Sequence, residues 1–180
     1  HSREREHPSL PAYLLAVFFF CGIALLGQLA PSAKAEALHL NTDRVHLNPD
    51  QPSIDRVGAL RFRGGLRLAS RDRRFGGISG LTFVTDDRLV AVSDRGWWIS
   101  FRIVEQNDRL SGVVDGTIDP LRNVSGVPIK RSSESDAEAV EKTFGGELIV
   151  AFERRHRLWR YPAAPAHVLA AATALPVLSG

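Results

Sequence analysis

One cysteine in 180 residues excludes a disulfide framework and any multi-cysteine zinc site. No glycine-rich phosphate loop ending in lysine occurs, and no dinucleotide fingerprint. His156 has no second histidine at ligand spacing, which argues against a transition-metal centre. Neither sign of charge dominates, with 23 basic residues against 20 acidic ones and a net charge of +3. That near-neutrality gives no case for nucleic-acid binding. Methionine is absent, the chain starts at His1 and it stops after an Ala/Pro-rich run. The sequence therefore reads as an N-terminal piece of a longer protein.

Beyond residue 35 there is no long apolar run, but before it there is one. Ala12 to Gly27, AYLLAVFFFCGIALLG, carries no charge; Arg3 and Arg5 precede it, and Ala33-Lys34-Ala35 follows. A basic start, a short apolar stretch and an A-x-A site describe a secretory signal peptide over 1–35, cut near Ala35. The stretch is shorter than the roughly twenty residues a spanning helix needs, so cleavage is favoured over a retained anchor. The expected location is the periplasm or the exterior, with membrane contact only through this segment. Cys21 lies inside the apolar run and not at its end, which argues against a lipoprotein signal. Cleavage leaves a cysteine-free chain with 20 basic and 18 acidic residues.

From residue 36 onward the pattern is all-β, with an extension over 36–57 and the main domain over 58–180. LTFV (81–84), LVAVSD (89–94), WWISFRIV (97–104), ELIVAF (147–152) and RLWRY (157–161) are short apolar runs between Gly/Asp turns, as in an antiparallel meander. Two places look helical, 135–141 and the alanine-rich 166–174. Arginines 56, 61, 63, 67, 71, 73 and 74 crowd together. They either attract an anion or form the wet faces of strands, and the alternation Leu60-Arg61-Phe62-Arg63 favours the strand faces.

The chain also repeats itself at an offset of 59. Leu89–Arg95 falls on Leu148–Arg154, Gly77–Leu81 on Asp136–Val140, Asp86-Asp87-Arg88 on Gly145-Gly146-Glu147, and Ile99 on Leu158. Strand-only repeats of this length predict a β-propeller, with about three blades in this stretch and a loop inserted within 105–135.

Within that frame the chemistry falls on acid–arginine pairs. Asp94-Arg95 and Glu153-Arg154 close equivalent strands, and Asp136-x-Glu138 stands where the first unit has glycine and serine. Strand ends and lead-in loops converge on the rim of a propeller channel, where carboxylates can hold a hard cation or act as acid and base. The arginines can clamp a phosphate oxygen. Alternatively Asp94 and Glu153 bond turn amides while their arginines pair structurally. Gly77-Ile78-Ser79-Gly80 mimics a nucleophile elbow, but its second glycine is one residue early and a strand follows, so Ser79 is a poor nucleophile. Trp97, Trp98 and Trp159 read as strand packing more than as a sugar platform.

FRGGLRLASRDRRFGGISGL (62–81), LVAVSDRGWW (89–98), SDAEAV (135–140) and VAFERRHRLWRY (150–161) together resemble the bacterial phytase-like family, also described as "esterase-like activity of phytase". The resemblance runs from about Gly58 to Tyr161. It implies an exported β-propeller, related at a distance to calcium-dependent phytases and longer than this chain. It implies a hydrolase of a phosphate or carboxylic ester, with Asp94, Asp136, Glu138 and Glu153 carried over and calcium expected by analogy alone; a monomer is the expected state. A non-catalytic envelope propeller binding a ligand or protein is the alternative, and a lactonase-like propeller with an acidic metal centre a third.

Overall fold

The computed structural model describes residues 35–130 and 133–176. The signal-peptide reading, with Cys21, falls on residues before these. Among the described residues no helix is long and apolar enough to cross a membrane.

The fold is all-β, consistent with a β-propeller. Ribbons precede two larger sheets: β2 (Asn41–Val45) pairs with β5 (Gly65–Ala69), and β3 (Arg56–Val57) with β4 (Leu60–Arg61). The first large sheet is the meander β6 (Ile78–Phe83), β7 (Arg88–Ser93), β8 (Trp97–Gln106) and β9 (Arg109–Pro120), with β1 (Glu36–Ala37) added along β9. The second is the meander β10 (Ala137–Lys142), β11 (Leu148–Phe152), β12 (Arg157–Tyr161) and β13 (Thr173–Ala174).

The 59-residue repeat is built into the backbone. β6 and β10 start and end at equivalent positions, and each carries a bulge at the same place, between Ile78 and Gly80 and between Ala137 and Ala139. The turns after them close alike, Val84 N–H donating to Arg88 O at 2.9 Å and Thr143 N–H to Glu147 O at 2.9 Å. The match then slips by one residue. Ala91 pairs with Ile99 but Val150 pairs with Trp159, so Ile99 corresponds to Trp159 and not to Leu158 as the sequence alignment had it. The turn after β11 holds one residue more, with Arg154 in the left-handed region at φ +53°. Burial agrees with the shifted match: Ile99 and Trp159 are buried, whereas Leu158 is exposed.

Other expectations change too. Residues 137–142 form a strand where a helical turn was anticipated, because partners on β11 take their backbone groups. Around 166–174 only Ala166–Val168 is helical, a single 3-10 turn. Two complete meanders account for most of the described chain, because β8 and β9 run on as a hairpin of 10 and 12 residues within the stretch where an insertion was expected. Leu60 and Arg61 are both exposed, so the short β4 lacks the half-buried alternation anticipated there. The arginines around it nonetheless lie on a wet surface, with Arg61, Arg63 and Arg67 paired to Asp55, Glu105 and Asp43.

One cluster of buried side chains joins the two meanders. Val90, Val92 and Trp98 from the first pack with Val140, Val150, Phe152 and Tyr161 from the second. Each such aliphatic or aromatic side chain contributes roughly 1.5–3 kcal/mol by leaving water. Trp98 stands edge-on to Tyr161, with ring centroids 5.1 Å apart, which makes it a packing residue. The inner strands β6 and β10 touch backbone to backbone: a Cβ on Gly80 would lie 2.6 Å from Val140 N. Only glycine permits that approach, and it brings the lead-in ends of β6 and β10 together.

Candidate active site

At those ends the backbone makes the same corner twice. Asp94 N–H donates to Gly77 O at 2.9 Å, and Glu153 N–H donates to Asp136 O at 2.9 Å. Two hydroxyls link the corners: Ser79 Oγ donates to the Ala137 carbonyl, and Ser135 Oγ to Asp94 O at 3.4 Å. Ser79 is thus engaged in joining the sheets, consistent with its rejection as a nucleophile.

The corners carry different side chains. In the second, Asp136, Glu138 and Glu153 each offer a carboxylate oxygen within 4.8 Å of the others. Asp136 is largely buried and pairs with Arg154 Nε at 2.6 Å. Glu138 is half-buried, and its carboxyl is pushed above the ordinary range. Burial is the main cause, followed by the charges of Glu153 and Asp136, a hydrogen bond with Asp136, and the charge of Asp94. In the first corner Asp94 lies directly over Gly77, where a Cβ would come within 1.9 Å of Asp94 Oδ1. Gly77 also has φ +62°, a backbone conformation that favours glycine, and a side chain there would have to displace the Asp94 carboxylate.

The structure therefore gathers five of the six candidates, Asp94, Asp136, Glu138, Glu153 and Arg154, at one end of the paired sheets. Arg95 turns outward. Its Nε lies 3.9 Å from Asp94 Oδ1, and Nη1 donates to Arg73 O at 3.5 Å. It borders a cavity of about 440 Å³ with Arg73, Arg74, Trp97 and Lys130.

Sequence reasoning missed Arg157. Its guanidinium lies 3.9 Å from the Phe152 ring centroid and 4.3 Å from that of Trp159. From there it donates to the Arg155 carbonyl at 3.0 Å and to the Glu134 carbonyl, bracing the segments that carry Glu153 and Asp136. The available signal was the i, i+2 spacing of Arg157 and Trp159, which puts both on one face of a strand.

Chemically, a carboxyl whose pKa is raised by burial and by neighbouring carboxylates is suited to donate a proton. The same three oxygen donors suit a hard cation better than a soft one, and their mutual repulsion at Glu138 is what a cation would relieve.

The described chain is a repetitive all-β fold whose neighbouring sheets bring carboxylates and Arg154 together at one end. The chain belongs to the phytase-like family, whose model, described as "Esterase-like activity of phytase", matches residues 73–178. That match spans both meanders and all six candidate residues. It indicates a hydrolase-like family. No curated protein and no solved structure matches the chain.

Proposed function

We propose that the chain is part of an exported β-propeller hydrolase acting on a phosphate or carboxylic ester, with its reaction centre at Asp136, Glu138 and Glu153. The two meanders are two of its blades, residues 1–35 its cleaved signal peptide and 58–180 its propeller domain. It works in the periplasm or outside the cell as a monomer. The observation that carries this reading is the convergence of three carboxylates, one of them with a raised pKa. Glu138 keeps its proton into a higher pH range than an ordinary glutamate and can deliver it to the leaving oxygen. The exposed Glu153 is placed to take a proton from an attacking water. Arg154 orients Asp136 through its Nε contact and is the cation at hand for developing negative charge, whereas Arg95 would have to swing back from Arg73 to join it. In an alternative form of this reading Asp136, Glu138 and Glu153, all ionised, would hold calcium, which would supply charge neutralisation for an anionic ester in place of the Glu138 proton.

The Arg154–Asp136 pair favours a second reading, because it satisfies one carboxylate without any ligand. On that reading the rim is a structural corner of a non-catalytic propeller that binds a ligand or protein. The deciding experiment assays the full-length protein on p-nitrophenyl phosphate and p-nitrophenyl acetate, with and without calcium. Turnover that disappears in Glu138→Gln supports the hydrolase. A folded, inactive wild type moves the case to the binding module.

A further inference from the structure

At the far end of the same strands, a cavity of about 570 Å³ opens between the sheets. It lies beyond Val84 and Lys142, whereas the carboxylates lie where β6 and β10 begin, ~17–20 Å away for strands of this length. The volume is within the range of roughly 300–1,000 Å³ typical of small-molecule sites. Its walls are mainly apolar, including Val84, Ala163, Pro165 and Val168.

Two cations border it, Arg88 and Lys142, and they flank one turn. Lys142 Nζ donates to Val84 O at 3.3 Å, and Val84 N–H donates to Arg88 O at 2.9 Å. Arg88 Nη1 donates to Ser100 Oγ at 3.1 Å. Neither cation has a carboxylate partner among the described residues, although Arg61, Arg63, Arg67, Arg74, Arg102, Arg109, Arg154, Arg155 and Arg160 all do. His167 adds an independent sign: it lines the cavity, is 3% exposed, and neither ring nitrogen has a hydrogen-bond partner. An apolar chamber edged by unneutralised cations, with a buried and unsatisfied imidazole in its wall, has the complement of an apolar body carrying one anionic head.

We infer that this cavity binds a small amphipathic anion, a carboxylate with an aliphatic body, its head on Lys142 and Arg88 and its tail against Val84 and Val168. The site is separate from the carboxylate centre and does not depend on the hydrolase reading.

The test is calorimetric titration of the full chain with decanoate, and with decanol as the uncharged control. The expected result is saturable one-to-one binding of decanoate, with decanol at least about tenfold weaker because the charge-assisted contacts are lost. Lys142→Met should weaken decanoate by a similar factor and leave decanol unchanged. Ala163→Trp, at an exposed wall position, should block both ligands without disturbing the core. Failure of decanoate to bind, equal binding of decanol, or indifference to both substitutions would overturn the inference.

Discussion

The two meanders use one backbone and arm it differently. Each turns its corner with the same hydrogen bond, from Asp94 to Gly77 and from Glu153 to Asp136, and each bulges at the same position of its first strand. The first meander does this with Gly77-Ile78-Ser79, so the corner itself needs no carboxylate. Asp136 and Glu138 in the second are therefore surplus to the architecture, and burying Glu138 and crowding it against Glu153 and Asp136 carries a cost visible in its raised pKa. Recurrence marks Asp94-Arg95 and Glu153-Arg154 as features of the corner, whereas non-recurrence singles out Asp136 and Glu138 as additions to it.

The sharpest way to break this comparison is to make the second corner read like the first. The double variant Asp136→Gly/Glu138→Ser should fold, with a circular-dichroism melt near that of the wild type. Its ester turnover should fall by about 10²-fold or more, the scale of a lost general acid or base. Loss of folding would show instead that the carboxylates hold the corner together.

Next in size is the close approach that aligns the corners. Gly80→Val would set a side chain 2.6 Å from Val140 N and 2.8 Å from Ala139 Cα, both backbone atoms that cannot swing aside. We expect destabilisation of about 3 kcal/mol or more in urea unfolding. Gly145, whose added Cβ would meet nothing nearer than Thr143 Oγ1 at 3.7 Å, should accept alanine with little change.

A pH effect distinguishes the other end of the sheets. His167 is buried against Trp98, ring centroids 4.7 Å apart, and burial pushes its pKa down to about 4. The unfolded chain, with the ordinary histidine value of about 6.5, binds the proton first. Stability from this residue is therefore full above that value and lost as pH falls toward 4. A shift of this size corresponds to about 2–3 kcal/mol between pH 7 and pH 4. His167→Leu should flatten that part of the stability profile, read as melting temperature against pH.

Much of this was legible beforehand because it is written in period and register. The strands of both meanders, the offset of 59 and the acid–arginine pairs all follow from side-chain alternation and repetition. The one-residue slip at β12 was not legible, since Arg154-Arg155-His156 looks like any polar turn and only the pairing of Val150 with Trp159 reveals the added residue. Ser135–Glu141 was misread because its alanines and glutamates favour a helix in isolation, while the neighbouring strand decides its state. The cavity was invisible for a related reason, since it depends on which faces meet across the two sheets; for Arg157 the i, i+2 spacing placed it beside Trp159, but its bracing contacts to Arg155 and Glu134 were not encoded locally.

The smallest expected effect tests the first corner alone. Gly77→Ala places a methyl group where Asp94 Oδ1 lies 1.9 Å away, and it does so at φ +62°. The carboxylate is half-exposed and, among the described residues, its one ion pair is the long contact with Arg95 Nε at 3.9 Å, so it can swing into solvent. What remains is the backbone penalty of a β-carbon in the left-handed region, about 1–2 kcal/mol. The corner hydrogen bond from Asp94 N–H should survive, because it involves no side chain. If the two corners share a backbone but differ in task, Gly77→Ala should lower the melting temperature slightly and leave turnover within about twofold, in contrast to substitutions at Asp136 and Glu138. A loss of turnover as large as theirs would mean that Asp94 works with the carboxylates of the second corner, and the division of labour drawn between the two meanders would fail.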